Sequence, residues 1–354
     1  MLETLVAVYL GAMDPFALRK LGKSDVMLPV FGFGGSPVGN LFSAVSDADS
    51  EATLNTAWDA GIRFYDTSPF YGRTLSEHRL GQILRRKERR EVILSTKVGR
   101  VFFAPADTEE FARRERSWPH GLHFEYRHDY TYDAVMRSYE DSLQRLGMNR
   151  IDVLIIHDLD LLSIGSEPLV DAHFANLATG GINALNELKA RGRIRAIGAG
   201  VNRLGTIPRF LDLMDIDFFL VAAPYTLADQ PVLDEEFPRC EKRGIGFIIG
   251  QIFASGILAT GPVPGARYQY RLATPEELER VGRIEAVCRK HNVPLAAAAL
   301  QFPLHHPLVA SIIPGAFAPE QVLQNIASMQ HPIPDTMWAE LKRNGLLRED
   351  APTP

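Results

Sequence analysis

The residues best able to do chemistry in this chain are Asp66, Tyr71, Lys97 and His157. Their types suit proton transfer to or from a carbonyl or alcohol oxygen. A phenol, with a pKa near ~10, exchanges protons poorly at neutral pH. A neighbouring ammonium favours phenolate, so Lys97 is expected to bring the pKa of Tyr71 down. A carboxylate beside Lys97 keeps that lysine charged and oriented, and a neutral His157 can hydrogen-bond the reacting oxygen. Tyr71 then serves as general acid in carbonyl reduction and as general base in alcohol oxidation. Taken singly, each residue has a plainer role. Asp66 begins the turn sequence Asp-Thr-Ser-Pro, Lys97 snorkels from a strand end, and His157 is a satisfied core histidine.

What joins the four is where the chain places them. Eight short apolar runs recur, at 30–34, 63–67, 92–98, 151–158, 195–200, 217–222, 245–250 and 310–315. They are apolar nearly throughout rather than alternating, which marks strands buried on both faces of a parallel sheet. Helical segments alternate with them. Residues 47–60 carry early acids and stop before Gly61, 132–146 stop at Gly147, and 181–190 stop before Gly192. Residues 274–291 open on Thr274, a first-turn Pro275 and two acids, and 319–329 follow the last strand. This alternation predicts a closed α/β (β/α)8 TIM barrel, with a doubly wound open sheet as the alternative. In a barrel the C-terminal ends of neighbouring strands meet at one mouth. Asp66, Lys97 and His157 end the second, third and fourth strands, and Tyr71 follows Asp66 in the loop, so all four converge there. A lysine after a run such as Val-Ile-Leu-Ser-Thr is costly to bury without a partner.

Two segments depart from the rhythm. Residues 18–28 read as an N-terminal β-hairpin turning at 22–25, placed to plug the bottom of the barrel. From Lys97 to His157 is 60 residues, against roughly 30 for one βα unit. A long aromatic and charged loop, 100–130, is therefore inserted after strand 3 as a lid or pocket wall. The expected organisation is an N-terminal extension over 1–16, one barrel domain over 17–345 and a C-terminal tail over 346–354.

A chain of 354 residues fits one barrel. With 38 basic and 43 acidic residues the net charge is −5, which speaks against a nucleic-acid surface or a polybasic membrane patch. The expected partner is a small-molecule substrate, with no nucleic acid and no membrane. The apolar run 5–12 is too short to span a bilayer and lacks the basic residues that precede an export signal. Cys240 and Cys288 lie outside any C-x-x-C pair and read as reduced core thiols, so the expected location is cytoplasmic. No metal site is expected, since His305-His306 has no acidic or Cys partner nearby. Gly32-Phe33-Gly34-Gly35-Ser36-Pro37 only loosely suggests a dinucleotide fingerprint; Pro37 takes the third glycine's place, so it reads as a tight barrel loop.

The segment 64–72 (FYDTSPFYG), with Asp and Tyr five apart, resembles the aldo-keto reductase family. SEHRLGQIL (76–84), STKVG (95–99), SLQRLGMNRIDVLIIH (142–157), RAIGAGVN (195–202) and IIPGAFAPEQVLQN (312–325) follow in that family's order, and the match covers roughly residues 17–330. The resemblance implies a barrel that binds a nicotinamide cofactor without a Rossmann domain, with Asp66, Tyr71, Lys97 and His157 as the catalytic tetrad. NADP-preferring relatives carry a Lys and an Arg where this chain has Gly315 and Gln321. A doubly negative 2′-phosphate needs such cations, so NAD is implied and NADP remains possible. Asn325 matches the family's adenine-contacting Asn, and the chain around Ile313 and Gly315 is expected at the pyrophosphate. Tyr225 is expected to stack on the nicotinamide ring and Asn202 to hold its amide, whereas Ala222 stands where the family's amide-facing Gln is usual.

The aromatic insert, His157-Asp158-Leu159-Asp160 and Pro224-Tyr225-Thr226-Leu227 look like the D-threo-aldose 1-dehydrogenase (L-fucose dehydrogenase) group, with the pyridoxal 4-dehydrogenase group close to it. That likeness implies NAD-dependent oxidation of an aldose C1 hemiacetal to a lactone. The alternatives are oxidation of pyridoxal to 4-pyridoxolactone and the non-catalytic, nicotinamide-binding role of channel-associated subunits with this fold. Phe33, Phe70, Trp118 and Tyr225 are the expected pocket walls.

Overall fold

Residues 18–28 form the expected hairpin in the computed structural model, which describes residues 12–115 and 118–354. Its strands β1 (Leu18–Lys20) and β2 (Met27–Pro29) pair antiparallel. The chain continues through β3 (Phe33–Gly34), β4 (Phe64–Asp66) and β5 (Ile93–Val98), then the insert's β6 (Arg100–Phe103) and β7 (Glu125–His128). Next come β8 (Val153–Ile156), β9 (Ala196–Val201), β10 (Phe218–Ala222) and β11 (Gly246–Gly250). A short pair, β12 (Arg267–Tyr268) and β13 (Arg271–Leu272), precedes β14 (Val309–Ile312).

Eight of these strands form one sheet in the order β3-β4-β5-β8-β9-β10-β11-β14, with parallel pairing throughout. Parallel bridges from Phe31 to Ile312 and from Gly34 to Gly315 join its two edges. The result is a (β/α)8 barrel rather than an open sheet.

Side chains alternate between the two faces of a strand. Phe64, Ile155, Phe218 and Ile248 fill the barrel and meet Leu21, Val26 and Leu28 of the hairpin, which closes the bottom. Tyr65, Leu94, Leu154, Phe219 and Phe247 belong to the outer layer beneath the helices. Burying each such side chain stabilises the fold by about 1.5–3 kcal/mol. The same parity positions the site. Asp66 lies two residues beyond Phe64, Lys97 is in register with Ile155, and His157 lies two residues beyond Ile155. All three therefore rise from the inner face at the barrel mouth.

The helices start where the polar caps stand. Ser46 accepts from Asp49, Thr131 accepts from Ala134, and Thr274 and Glu277 form a reciprocal capping box. The insert is an ordered antiparallel hairpin with the helix Thr108–Arg114 at its far end. It is tied to the loop that carries Tyr71. Arg73 forms an ion pair with Glu115 and donates to the Phe124 carbonyl (2.9 Å), and the Leu122 N–H donates to the Gly72 carbonyl (2.9 Å). Residues 346–354, expected as a tail, pack onto the barrel through buried Leu346, Leu347 and Ala351. Residues 1–11 of the expected extension lie outside the described residues. No described helix is long and apolar enough to cross a membrane.

Candidate active site

Lys97 and Asp66 meet at the mouth as a buried ion pair, 2% and 1% exposed. Lys97 Nζ donates to Asp66 Oδ2 (2.7 Å) and to the Thr67 carbonyl (2.8 Å), and Ser95 Oγ donates to Asp66 Oδ1 (2.7 Å). Lys97 Nζ also lies 4.6 Å from the centroid of the Tyr71 ring. The ammonium thus faces the ring of Tyr71, and the expected lowering of the phenol pKa does not appear. Burial, and then the carboxylates of Asp66 and Asp158, push Tyr71 well above the ordinary tyrosine value, with Arg100 opposing. In this state Tyr71 holds its proton.

His157 stands edge-on to Tyr71, ring centroids 6.0 Å apart. Its Nδ1 faces donors. Ser68 Oγ lies 3.0 Å away and accepts from the Phe70 N–H (3.0 Å), which frees its own proton for the imidazole. Arg100 Nη1 lies 2.9 Å from Nδ1 and 3.3 Å from Nε2; a guanidinium can only donate, and the shorter contact together with Ser68 makes Nδ1 the acceptor. The ring proton therefore sits on Nε2, which faces Asp158 Oδ2 at 3.3 Å. Burial, and then the charges of Arg100, Lys97 and His128, hold His157 well below the ordinary histidine value. The imidazole is neutral near pH 7.

Ser68 and Arg100 had not been anticipated. Gly99, at φ +108°, turns the chain between β5 and β6, and a Cβ there would lie 2.2 Å from the Tyr130 ring. That turn brings Arg100 back over the mouth, 4.0 Å from the Phe70 ring centroid and 3.5 Å from Asp158. The Gly-Arg pair after the third strand is visible in the sequence, but the direction of the turn is not.

The expected pocket residues divide. Phe70 and Trp118 stand against each other (5.7 Å), and Trp118 flanks Tyr71 (6.0 Å). Phe33 is not a pocket wall: it is in register with Tyr65 and packs on that ring (5.9 Å) in the outer layer. Tyr225 does not reach the mouth either. Ala223, at φ +82°, turns the chain after β10, and Tyr225 is buried against Phe237 (5.0 Å) and Phe302 (5.3 Å). Asn202, just past β9, is directed toward Asp158 and Asp160.

A cleft of about 660 Å3 runs outward from Tyr71, and Ile313, Gly315, Gln321 and Asn325 line it. Its floor depends on bare backbone, because a Cβ at Gly315 would lie 2.5 Å from Pro37 Cγ. Tyr270, between β12 and β13, lines the cleft too. Its N–H donates to Ser255 Oγ (2.7 Å). A cleft of this volume, lined by glycine backbone, amide side chains and Tyr71, fits a nicotinamide dinucleotide. Among the described residues no Lys or Arg lines it; Arg267 stacks on Phe42 at its rim (5.1 Å).

The sequence profile of the aldo/keto reductase family matches residues 30–344. A pyridoxal 4-dehydrogenase of Microbacterium luteolum is 40% identical over 341 residues, covering 93% of this chain and 97% of that protein. A D-threo-aldose 1-dehydrogenase of a Pseudomonas species is 38% identical over 340 residues, covering 94% and 97%. The holo form of an aldo-keto reductase from Bacillus halodurans superposes with a TM-score of 0.71 at 23% identity, over 94% of this chain and 97% of that one, and shows the shared fold. With its barrel closed and the family profile spanning nearly all of it, the chain is an NAD(P)-dependent oxidoreductase and belongs to the aldo/keto reductase family.

Proposed function

We propose that this enzyme oxidises the C1 hemiacetal of an aldose, of the L-fucose or D-threo-aldose type, to a lactone, with NAD as oxidant. The observation that carries this reading is the mixed surroundings of Tyr71: the rings of Phe70 and Trp118 stand beside the polar groups of His157 and Asp158. A pyranose has the matching character, with an apolar face and a hydroxylated edge. The 38% identity to a D-threo-aldose 1-dehydrogenase supports it. The cleft without cationic lining supports NAD over NADP, since a 2′-phosphate needs such partners.

In the proposed reaction Ile313, Gly315, Gln321 and Asn325 would hold the dinucleotide. When bound, an oxidised nicotinamide supplies the acceptor for the C1 hydride, and its positive charge favours the phenolate. Tyr71 takes the proton of the C1 hydroxyl as the carbonyl forms. Asp66 fixes Lys97 against the Tyr71 ring, so the ammonium stays beside the phenolate as it develops. His157 donates from Nε2 to the same substrate oxygen. Buried, unpaired Cys240 and Cys288 support a reducing, cytoplasmic setting.

The 40% relative favours a second reading, oxidation of pyridoxal to its lactone, which uses the same proton transfer at Tyr71. Initial rates of nicotinamide reduction separate the two, with NAD or NADP paired against L-fucose, D-arabinose, L-galactose and pyridoxal. Sugar turnover with NAD is the expected result. Pyridoxal turnover alone moves the assignment to the second reading, and NADP turnover alone overturns the cofactor assignment. A folded protein that binds nicotinamide yet turns over nothing would favour the regulatory role.

A further inference from the structure

We propose that Asp158 determines specificity by accepting a hydrogen bond from a hydroxyl on the carbon next to the reacting carbon, so that the enzyme selects α-hydroxy carbonyl compounds and their cyclic hemiacetals. The inference rests on the catalytic role of Tyr71 and His157, and not on which sugar is used.

The position of the carboxylate carries the argument. His157 Nε2–H is the donor for the reacting oxygen, and Asp158 Oδ2 stands 3.3 Å from that nitrogen. A ligand oxygen bound to His157 therefore lies within reach of Asp158 as well. An ionised carboxylate only accepts hydrogen bonds. Set directly against an oxygen that carries negative charge during the reaction, it would oppose the chemistry. A hydroxyl on the adjacent carbon lies about one hydrogen-bond length from the reacting oxygen and supplies the missing donor.

Two further features show that this carboxylate is placed rather than incidental. Asp158 has φ +37°, in the left-handed region, immediately after the strand-end histidine. Backbone of this kind persists where surrounding structure holds it and concentrates at functional sites. Beside it is Gly200, where a Cβ would lie 3.2 Å from Asp158 Oδ1, so the bare backbone leaves room for the carboxylate. Arg100 lies behind, 4% exposed and directed to His157, His128 and Asp158, whereas the Asp158 side chain is 21% exposed. Arg100 is the buried counter-charge, and Asp158 is the more exposed partner of the pair. Burial and Asp160 raise the Asp158 pKa, while Arg100, Lys97 and Asn202 hold it down.

The test compares two aldehydes that differ in the adjacent hydroxyl, glyceraldehyde and propanal, reduced with the reduced nicotinamide. Wild type, Asp158→Asn and Asp158→Ala are measured as full-length enzymes, with folding checked by circular dichroism and cofactor binding by fluorescence. Both aldehydes need Tyr71 and His157, so the ratio of their kcat/KM values cancels general damage to the site. In wild type the ratio is expected to favour glyceraldehyde by about 100-fold or more. It is expected to fall at least tenfold in both variants. The same fall is expected for L-fucose against 2-deoxy-L-fucose in the oxidative direction. An unchanged ratio in folded variants, or no preference in wild type, overturns the role of Asp158. Aldehyde reduction with the expected ratios but no sugar oxidation overturns the aldose reading while leaving Asp158 in place. No turnover of either aldehyde overturns both.

Discussion

The cofactor cleft allows NADP use to be raised at one position and forbids it at another. Relatives that prefer NADP place cations where this chain has Gly315 and Gln321, so Gly315→Lys and Gln321→Arg look equivalent in sequence. At Gly315 the added Cβ would lie 2.5 Å from Pro37 Cγ and 2.7 Å from Pro37 Cδ, beside the bridge to Gly34 that closes the barrel. Overpacking of this kind costs about 1–3 kcal/mol. If that strain falls on the cleft, it weakens both cofactors by about 5- to 150-fold. Gln321 is different. Its Oε1 accepts one bond, from the Phe317 N–H at 3.0 Å, worth about 1 kcal/mol. A charge-assisted bond from an arginine to the 2′-phosphate returns about 1.5–3 kcal/mol. The net gain of about 0.5–2 kcal/mol corresponds to about 2- to 30-fold in kcat/KM for NADP. The assay is kcat/KM for NAD and NADP with one substrate, for wild type, each variant and the double variant. Gln321→Arg is expected to raise NADP use, and Gly315→Lys to lower use of both cofactors. A Gly315→Lys variant that gains NADP activity and keeps NAD activity would refute the packing argument.

Three other outcomes follow from the site and its surroundings. Lys97→Met strands the buried Asp66 carboxylate and is expected to cost about 3–5 kcal/mol of stability, read from denaturant midpoints. Adding Asp66→Asn should return part of it, and a strictly additive double variant would show that the pair is not coupled. Ser68→Ala removes one of the two donors to His157 Nδ1; about a 2- to 12-fold loss of kcat is expected, with the Nε2–H tautomer kept by Arg100 in 15N spectra, and a ring proton that moves to Nδ1 would contradict the assignment. Burial lowers His305 and His306 to about 4, so from pH 6.5 down to about 4 the unfolded chain binds protons that the folded chain refuses. Stability is therefore expected to fall across that window, by up to about 3 kcal/mol for buried His306; flat denaturation midpoints from pH 7 to 4 would count against it.

The barrel was legible because burial on both faces writes itself as apolar runs, and all eight appear as strands within a few residues of the expected ends. The convergence of Asp66, Tyr71, Lys97 and His157 was legible because the topology alone puts strand ends at one mouth. Facing was harder to read. Phe33 shares an outward parity with Tyr65, which becomes evident only once the register between β3 and β4 is known. Tyr225 was misplaced because a left-handed Ala223 redirects the chain, and nothing about alanine signals that conformation. Arg100 and Asp158 were hidden for a related reason: each depends on a positive φ, at Gly99 and at Asp158 itself. The charge state of Tyr71 also needed coordinates, because residue types alone do not show that Lys97 is engaged by Asp66 and faces the ring.

The central claim is that Tyr71 moves the proton in a nicotinamide-dependent oxidation. Its most direct test is the rate of NAD reduction by L-fucose with wild type and Tyr71→Phe, with NAD affinity measured in parallel by fluorescence. General acid–base catalysis contributes about 10²- to 10⁴-fold. The variant is expected to lose at least about 100-fold in kcat while binding NAD as wild type does. A Tyr71→Phe enzyme that keeps more than about a tenth of the wild-type rate would contradict the assignment.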